Sequence, residues 1–233
     1  MPSAIPLDTL RTRAIALGAS LAGCVPAAAL LKSASHRGHT FERHLQEGLA
    51  VVVIALAHDE NRLKMDWWDN SRGHTPGNRL LIKVNRRLIK WLRKRYGVDA
   101  RDLPYEGPEG GVFLKDAAVL AGIGVMGRNN LVVTPRYGPR VRLRALLVDC
   151  PLGYSSPLED FAPCTGCTAP CLQACPEAAF TGGGYQRERC QRQMAKNEAA
   201  KIVLRSPVVG MPTRYKVAYC RRCELACPVG REF

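Results

Sequence analysis

The chain has no run of eighteen apolar residues, so no segment of it is read as a membrane-spanning helix. Aromatic residues are scarce at 6%, and acidic residues number 20 against 34 lysines and arginines, which leaves a formal net charge of +14. An excess of that sign points to an acidic partner: nucleic acid, an anionic surface or an acidic protein. Charged residues make up only 23% and apolar residues 46%, a balance that excludes disorder and calls for a buried core. A length of 233 residues suits one large domain or two modest ones. Cysteine, by contrast, is plentiful. There are ten, and eight of them follow residue 160. A disulfide scaffold belongs to short secreted chains, so this clustering reads as metal ligation in a reducing compartment, and the expected location is cytoplasmic.

The N-terminal part reads as α/β. The stretch RTRAIALGASLAGC (11–24) imitates a lipoprotein leader, with a basic start and a Leu-Ala-Gly-Cys ending. Leu10, Ala14, Leu17 and Leu21 recur at helical spacing, and Asp8 and Thr9 can cap the start, so an amphipathic first helix is the preferred reading. LAVVVIALA (49–57) reads as a strand buried on both faces. A helix is expected over 76–97, opened by Pro76 and Asn78, closed by Gly97, with Leu81, Val84, Leu88 and Leu92 on one face. Its other side carries Lys83, Arg86, Arg87, Lys90, Arg93 and Lys94, which is either a solvated face or a phosphate-binding one. A second helix is expected over 112–124, then strands over 131–135 and 142–150. Composition turns to Pro, Gly and Ser around 151–163, which places a boundary between a domain at 1–155 and another at 156–233.

The cysteines carry the strongest signal. The first group is Cys164-x2-Cys167-x3-Cys171-x3-Cys175-Pro, the second is Cys220-x2-Cys223-x3-Cys227-Pro, and Cys190 lies between them. Eight thiolates are what two 4Fe-4S cubes require. In this pattern the distal cysteine of each run serves the other cube. One cluster is then expected on Cys164, Cys167, Cys171 and Cys227, the other on Cys175, Cys190, Cys220 and Cys223. A zinc ribbon on Cys164, Cys167, Cys220 and Cys223 is the alternative, but it leaves four cysteines and both Cys-Pro pairs without a purpose. Each oxidised cubane site carries a charge of about −2, which brings the loaded chain to about +10. Cys24 and Cys150 stand outside the pattern and read as buried small hydrophobes.

GIGVMG (122–127) matches G-x-G-x-x-G, yet a helical run precedes it and a strand follows, the reverse of a dinucleotide site. The glycines read instead as places of positive φ and close backbone approach, with a flat cofactor as one possible neighbour. KDAAVLAGIGVMGRNNLVVTPRYGPRVRLRALLVD (115–149), followed by the two cysteine groups, resembles the epoxyqueuosine reductase family and its relatives, which reach the corrinoid reductive dehalogenases. The likeness runs from about residue 100 to the end. It implies a nitroreductase-like α/β domain of the cobalamin-binding type, followed by a small ferredoxin-like domain with two 4Fe-4S clusters. It also implies that Gly122, Gly124, Gly127, Arg128 and Asn129 lie near a corrinoid, here cobalamin.

Three departures stand out. Three residues separate Cys167 from Cys171 where the family motif has two. Tyr105, with Glu106 beside it and Glu109 close by, stands where the family has a proton-donating aspartate ahead of a proline. The helical-repeat extension of many tRNA-acting members has no counterpart after Cys227. Tyr105 and Glu106 are therefore the candidate catalytic residues.

Other candidates are weaker. His36, His39 and His44 lack metal spacing and read as a polar loop, while Trp67 and Trp68 are either a lid over a flat cofactor or ordinary packing. After residue 180, eleven basic residues face four acids, which eases the addition of an electron or docks an acidic donor such as flavodoxin or ferredoxin. The function expected from all this is an iron-sulfur oxidoreductase passing single electrons to a corrinoid, free or on a partner protein. The alternatives are a tRNA-modifying epoxyqueuosine reductase and a plain ferredoxin-type carrier.

Overall fold

A computed structural model describes residues 4–33, 35–36, 48–58, 61–105, 111–150, 152–204 and 212–231. Its centre is a four-stranded antiparallel sheet in the order β1 (Leu21–Pro26), β2 (Ala50–Ala57), β7 (Val141–Val148), β4 (Ala100–Asp102). Successive side chains of a strand point to opposite faces, and β2 displays this directly. Val52 and Ile54 join one core, with Leu10 and Ala14 of α1 (Leu7–Ala16) and Leu81, Leu88 and Leu92 of α3 (Pro76–Tyr96). Val51, Val53 and Ala55 join the other, with Ala27 and Leu30 of α2 (Ala27–Leu31) and Ala117 and Ala118 of α4 (Leu114–Leu120). Helices thus cover both faces of the sheet, which is why β2 reads as an unbroken apolar run although its neighbours are antiparallel.

The long helix follows its sequence signals. Thr75 Oγ1 accepts the Asn78 N–H at 3.2 Å, Pro76 occupies the first turn, and Gly97 ends the helix in the left-handed region at φ 67°. All four expected apolar positions are buried, as are Asn85 and Ile89.

Elsewhere the boundaries move. The first helix stops at Ala16 and Gly18 turns the chain at φ 108°, so Leu21 opens β1 instead of continuing the helical stripe. The helix begins after Pro6, with no side-chain cap from Asp8 or Thr9. The Leu-Ala-Gly-Cys segment is therefore strand, with residues 22–25 buried. The helix expected over 112–124 is only α4, and the strand expected over 131–135 shortens to β6 (Val132–Val133), paired with β5 (Val125–Met126).

The C-terminal part is built of short pieces: α5 (Pro170–Gln173), α6 (Arg187–Ala199), β8 (Ile202–Leu204), β9 (Arg214–Val217) and α7 (Arg222–Leu225). Its small sheet has the order β3-β9-β8, in which β3 (Trp68–Asp69) comes from the N-terminal half, with Trp68 opposite Val217. The division at 155/156 is thus crossed by a strand pairing.

Candidate functional site

Loop 163–169 and α5 bring Cys164, Cys167 and Cys171 to one recess, and the turn after α7 brings Cys227 to the same recess from the far end of the chain. Burial raises the pKa of the Cys171 thiol first, and the neighbouring Cys227, Cys164 and Cys167 raise it further. Burial also raises Cys227, against the opposing pull of the Val229 N–H and of Arg140. The remaining four thiols form a second set. Cys220 is raised by burial and by Cys175 and Cys190, and Cys223 is pushed up to about 12 by burial, then by Cys220, Glu224, Cys175 and Cys190. Mutual repulsion of this kind is relieved by a cationic cluster that takes the thiolate form.

Backbone amides already face two of the sulfurs: Ala169 N–H points to Cys167 Sγ at 3.4 Å and Ala179 N–H to Cys175 Sγ at 3.3 Å. Among the described residues no three His, Cys, Asp or Glu side chains are grouped as tightly as ligands of one ion. Two sets of four soft sulfur donors with amide N–H groups aimed at them fit iron-sulfur clusters.

The glycine stretch lies beside these cysteines but is packed against the protein itself. The space a Cβ would take is filled by Ser156 at Gly122, by Val133 at Gly124, and by Val133 and Asn129 at Gly127, so the close backbone approach is to the protein's own chain. Asn129 is buried. Its Nδ2 donates to the Cys223 carbonyl at 3.2 Å and its Oδ1 accepts the Leu131 N–H at 3.3 Å. Both of its polar ends are engaged within the protein, and the residue spans the gap between the second cysteine set and the recess of the first. Arg128 is exposed and lines that recess. Fully buried Arg140 donates to the carbonyls of Cys227 and Val229, both at 2.7 Å, and so fixes the turn that carries Cys227.

A buried charge network links the two halves, and sequence reading missed it. His58 at the end of β2 bonds through Nδ1 to Asp66. Arg142 of β7 pairs with Asp66 at 3.0 Å and with Glu224 at 3.2 Å. Arg221 pairs with Asp66 and, at 2.5 Å, with Glu224, so a carboxylate next to Cys223 and a guanidinium next to Cys220 are both clamped to the α/β sheet. Burial raises the Asp66 carboxyl, but the His58 hydrogen bond and the charges of Arg142 and Arg221 outweigh it and leave the group below its usual range. Burial lowers His58, more than Asp66 restores. An acid, a histidine and arginines far apart in sequence give no local pattern; the one available signal was Arg142 and Arg144 at alternate positions in an otherwise apolar strand.

Tyr105 is exposed, and its ring lies under the Arg144 guanidinium, 5.6 Å from the centroid. Glu106 and Glu109 fall outside the described residues, as do His39 and His44. His36 is not part of a polar loop. It is buried, within 2.7 Å of Ser33 Oγ through Nδ1, and its Nε2 accepts the Phe113 N–H at 3.2 Å. Trp68 packs within the small sheet, edge-on to His74 at 5.8 Å, which answers its reading as packing. Cys24 and Cys150 are both buried, and burial pushes Cys24 up to about 12.

Fold and cysteines together define an α/β protein whose C-terminal part carries eight cysteines, a donor set that fits iron-sulfur clusters. No family model matches the chain. It is 34% identical over 159 residues to the epoxyqueuosine reductase of Pseudomonas aeruginosa, covering 64% of this chain and 42% of that protein. With the epoxyqueuosine reductase of Lactococcus garvieae it shares 30% over 199 residues, covering 80% of this chain and 53% of that one. A crystal structure of epoxyqueuosine reductase with an epoxyqueuosine-modified tRNA-Tyr stem loop superimposes with a TM-score of 0.64 at 20% identity, over 97% of this chain and 65% of that one. A catabolic reductive dehalogenase in complex with 3-bromo-4-hydroxybenzoic acid superimposes with 0.65 at 18%, over 97% of this chain and 32% of that one. The chain is a relative of the epoxyqueuosine reductases and shares a fold with them and with the reductive dehalogenases. It spans less than two thirds of the length of each of these proteins.

Proposed function

We propose that this chain is an iron-sulfur oxidoreductase of the epoxyqueuosine reductase type, with two 4Fe-4S clusters that deliver single electrons to a ligand beside Tyr105 and with a modified tRNA nucleoside as substrate. The observation that carries the reading is the convergence of eight cysteines as two sets of four, each completed from a distant part of the chain. The name shared by the relatives in sequence favours tRNA modification over the corrinoid-centred reading. The exposed basic side of α3, with Lys83, Arg86 and Lys90, suits an RNA backbone.

Reducing an epoxide to an alkene takes two electrons and two protons and releases water, so two one-electron transfers and a proton source are needed. Tyr105 is the described side chain nearest to that role, but a phenol is a far weaker acid than a carboxyl group. The reading therefore assigns Tyr105 to holding the ligand and leaves proton delivery to Glu106 or to water. A flavodoxin- or ferredoxin-type donor would dock on the basic surface around the second cysteine set, and the chain would work in the cytoplasm.

A second reading, reduction of cobalamin free or on a corrinoid protein, draws on the fold shared with a reductive dehalogenase described as acting in B12-dependent dehalogenation. Cobalamin, when bound, would supply a low-potential metal that forms and breaks a bond to carbon.

Anaerobically reconstituted protein should hold about eight irons per chain. Cys227→Ser should remove the paramagnetic signal of the cluster on Cys164, Cys167 and Cys171 and spare the other. Mass spectrometry of epoxyqueuosine-bearing tRNA, incubated with reductant with and without cob(II)alamin, should show loss of one oxygen. Iron at background would reject the electron-transfer reading, and unchanged tRNA with full iron would reject the substrate.

A further inference from the structure

Lys115, at the start of α4, is a partly buried lysine without a carboxylate of its own. Among the described residues its Nζ donates to the Asn130 carbonyl, at 2.7 Å, and enters no ion pair. The neighbouring Asp116 is engaged elsewhere: it accepts the Ser33 hydroxyl at 3.0 Å and lies 4.0 Å from His36 Nδ1.

The loop that holds this ammonium is the tip of the β5-β6 hairpin, and the same tip grips the second cysteine set. Gly127 N–H donates to the Leu131 carbonyl at 2.8 Å and Asn130 N–H to the Gly127 carbonyl at 3.0 Å, with Asn130 in the left-handed region at φ 58°. Asn129, one residue before, is 3% exposed and donates from Nδ2 to the Cys223 carbonyl at 3.2 Å. Two hydrogen bonds through consecutive residues thus join Lys115 to Cys223. Burial lowers the Lys115 pKa, and the charges of Asp116, Cys190 and Cys223 pull against it.

The other charges about this set are paired or screened. Glu224, beside Cys223, is paired with Arg142 at 3.2 Å and with Arg221 at 2.5 Å, and both guanidiniums also meet Asp66. Arg222, whose charge reaches Cys220, is exposed to water and salt. Lys115 thus brings the second set a partly buried positive charge that no carboxylate pairs with among the described residues.

We propose that Lys115 is a potential-setting residue for electron transfer: its ammonium, fixed by the Asn130 carbonyl at the second cysteine set, favours the reduced form of the cluster held there. The role rests on the proposed function, which supplies that cluster, and concerns the tuning of the same site. A four-thiolate cubane site of about −2 gains one electron from a flavodoxin- or ferredoxin-type donor and becomes about −3, with no bond made or broken. A fixed positive charge in partly desolvated surroundings stabilises the more negative form and so raises the potential.

The test is a potentiometric titration of the anaerobically reconstituted full chain with dithionite, followed by paramagnetic resonance, with iron measured on every sample. Cys227→Ser identifies which signal belongs to the second set. Lys115→Gln keeps a donor for the Asn130 carbonyl and removes the charge. It should weaken the second cluster's hold on its electron about tenfold, which is about 59 mV of midpoint potential for a one-electron couple. The first cluster should move by about twofold or less, since the charge lies farther from it. Lys115→Arg, which keeps the charge, should restore the potential. Arg95→Gln removes the same unit of charge from the exposed end of α3 and should move neither cluster.

If Lys115→Gln fails to fold, Lys115→Met keeps the unbranched stem and carries the same expectation. An unmoved second potential, an equal fall in Arg95→Gln or no rescue by Lys115→Arg would overturn the role of Lys115 and leave the two-cluster reading standing. Loss of the second cluster from the Gln, Met and Arg variants alike would mark Lys115 as structural and overturn the role as well. Iron at background in the wild type would instead remove the two-cluster reading and the inference together.

Discussion

At the scale of single residues, Asp66 has the most consequence for stability. It joins His58, Arg142 and Arg221, and removing its charge leaves two largely buried guanidinium groups short of a counter-charge. Asp66→Asn should cost about 3 kcal/mol, read as a fall of roughly 6–12 °C in Tm for a chain of this size. The pH dependence follows from the two shifts. The depressed Asp66 carboxyl contributes stability that is present above its unfolded value of 3.8 and lost as pH falls through the folded one. His58 is depressed from 6.5, so below that value the unfolded chain takes up a proton that the native chain refuses. Both effects weaken the protein in acid. Tm measured anaerobically should drop steadily from pH 7 to 5, and a flat profile would contradict the buried, neutral His58 described above.

At the scale of elements, one tight contact decides how the first cysteine set is presented. Gly138, in the turn before β7 at φ 55°, brings its backbone against the Val229 carbonyl, and Arg140 clamps the same segment through the Cys227 and Val229 carbonyls. A Cβ at position 138 would overlap that carbonyl, and the left-handed backbone would be strained besides. Gly138→Ala should therefore loosen the turn that carries Cys227 and lower the iron content of the first cluster before that of the second, which iron analysis with paramagnetic resonance resolves. Elements differ in how far they could be read in advance. The long helix was legible because Thr75, Pro76 and Gly97 mark its ends and its apolar stripe is regular. β1 was not, because Leu21 continues the helical spacing of Leu10, Ala14 and Leu17, and only the turn at Gly18 breaks it. The glycines of 122–127 were legible as special but not as to their neighbours, since Val133 folds back across the β5-β6 pair and Ser156 arrives from beyond β7.

At the scale of the whole molecule, the cysteine module leans on the α/β domain through the β3-β9 pairing, the Asn129 bond to the Cys223 carbonyl, and the Asp66-Glu224-Arg142-Arg221 network. Residues 156–231 produced alone would leave the β9 edge open and Arg221 and Glu224 without their sheet-side partners. Such a fragment should take up well under eight irons per chain and lose them quickly on dilution. A fragment that keeps both clusters would instead favour a ferredoxin-type carrier.

The sequence by itself determined the chemistry of the donors and the existence of the core. Eight cysteines at these intervals, an eight-residue apolar strand and a capped amphipathic helix are local patterns, and local patterns survive without a partner. Tertiary structure alone decided which groups meet. It carried Cys227 to Cys164, paired Arg142 with Asp66 and Glu224 while seating Arg144 on the Asn78 side-chain oxygen, and buried His36. Burial, repulsion and ion pairing depend on distance in space, and here those distances are set by strand pairings and backbone contacts between segments far apart in the chain.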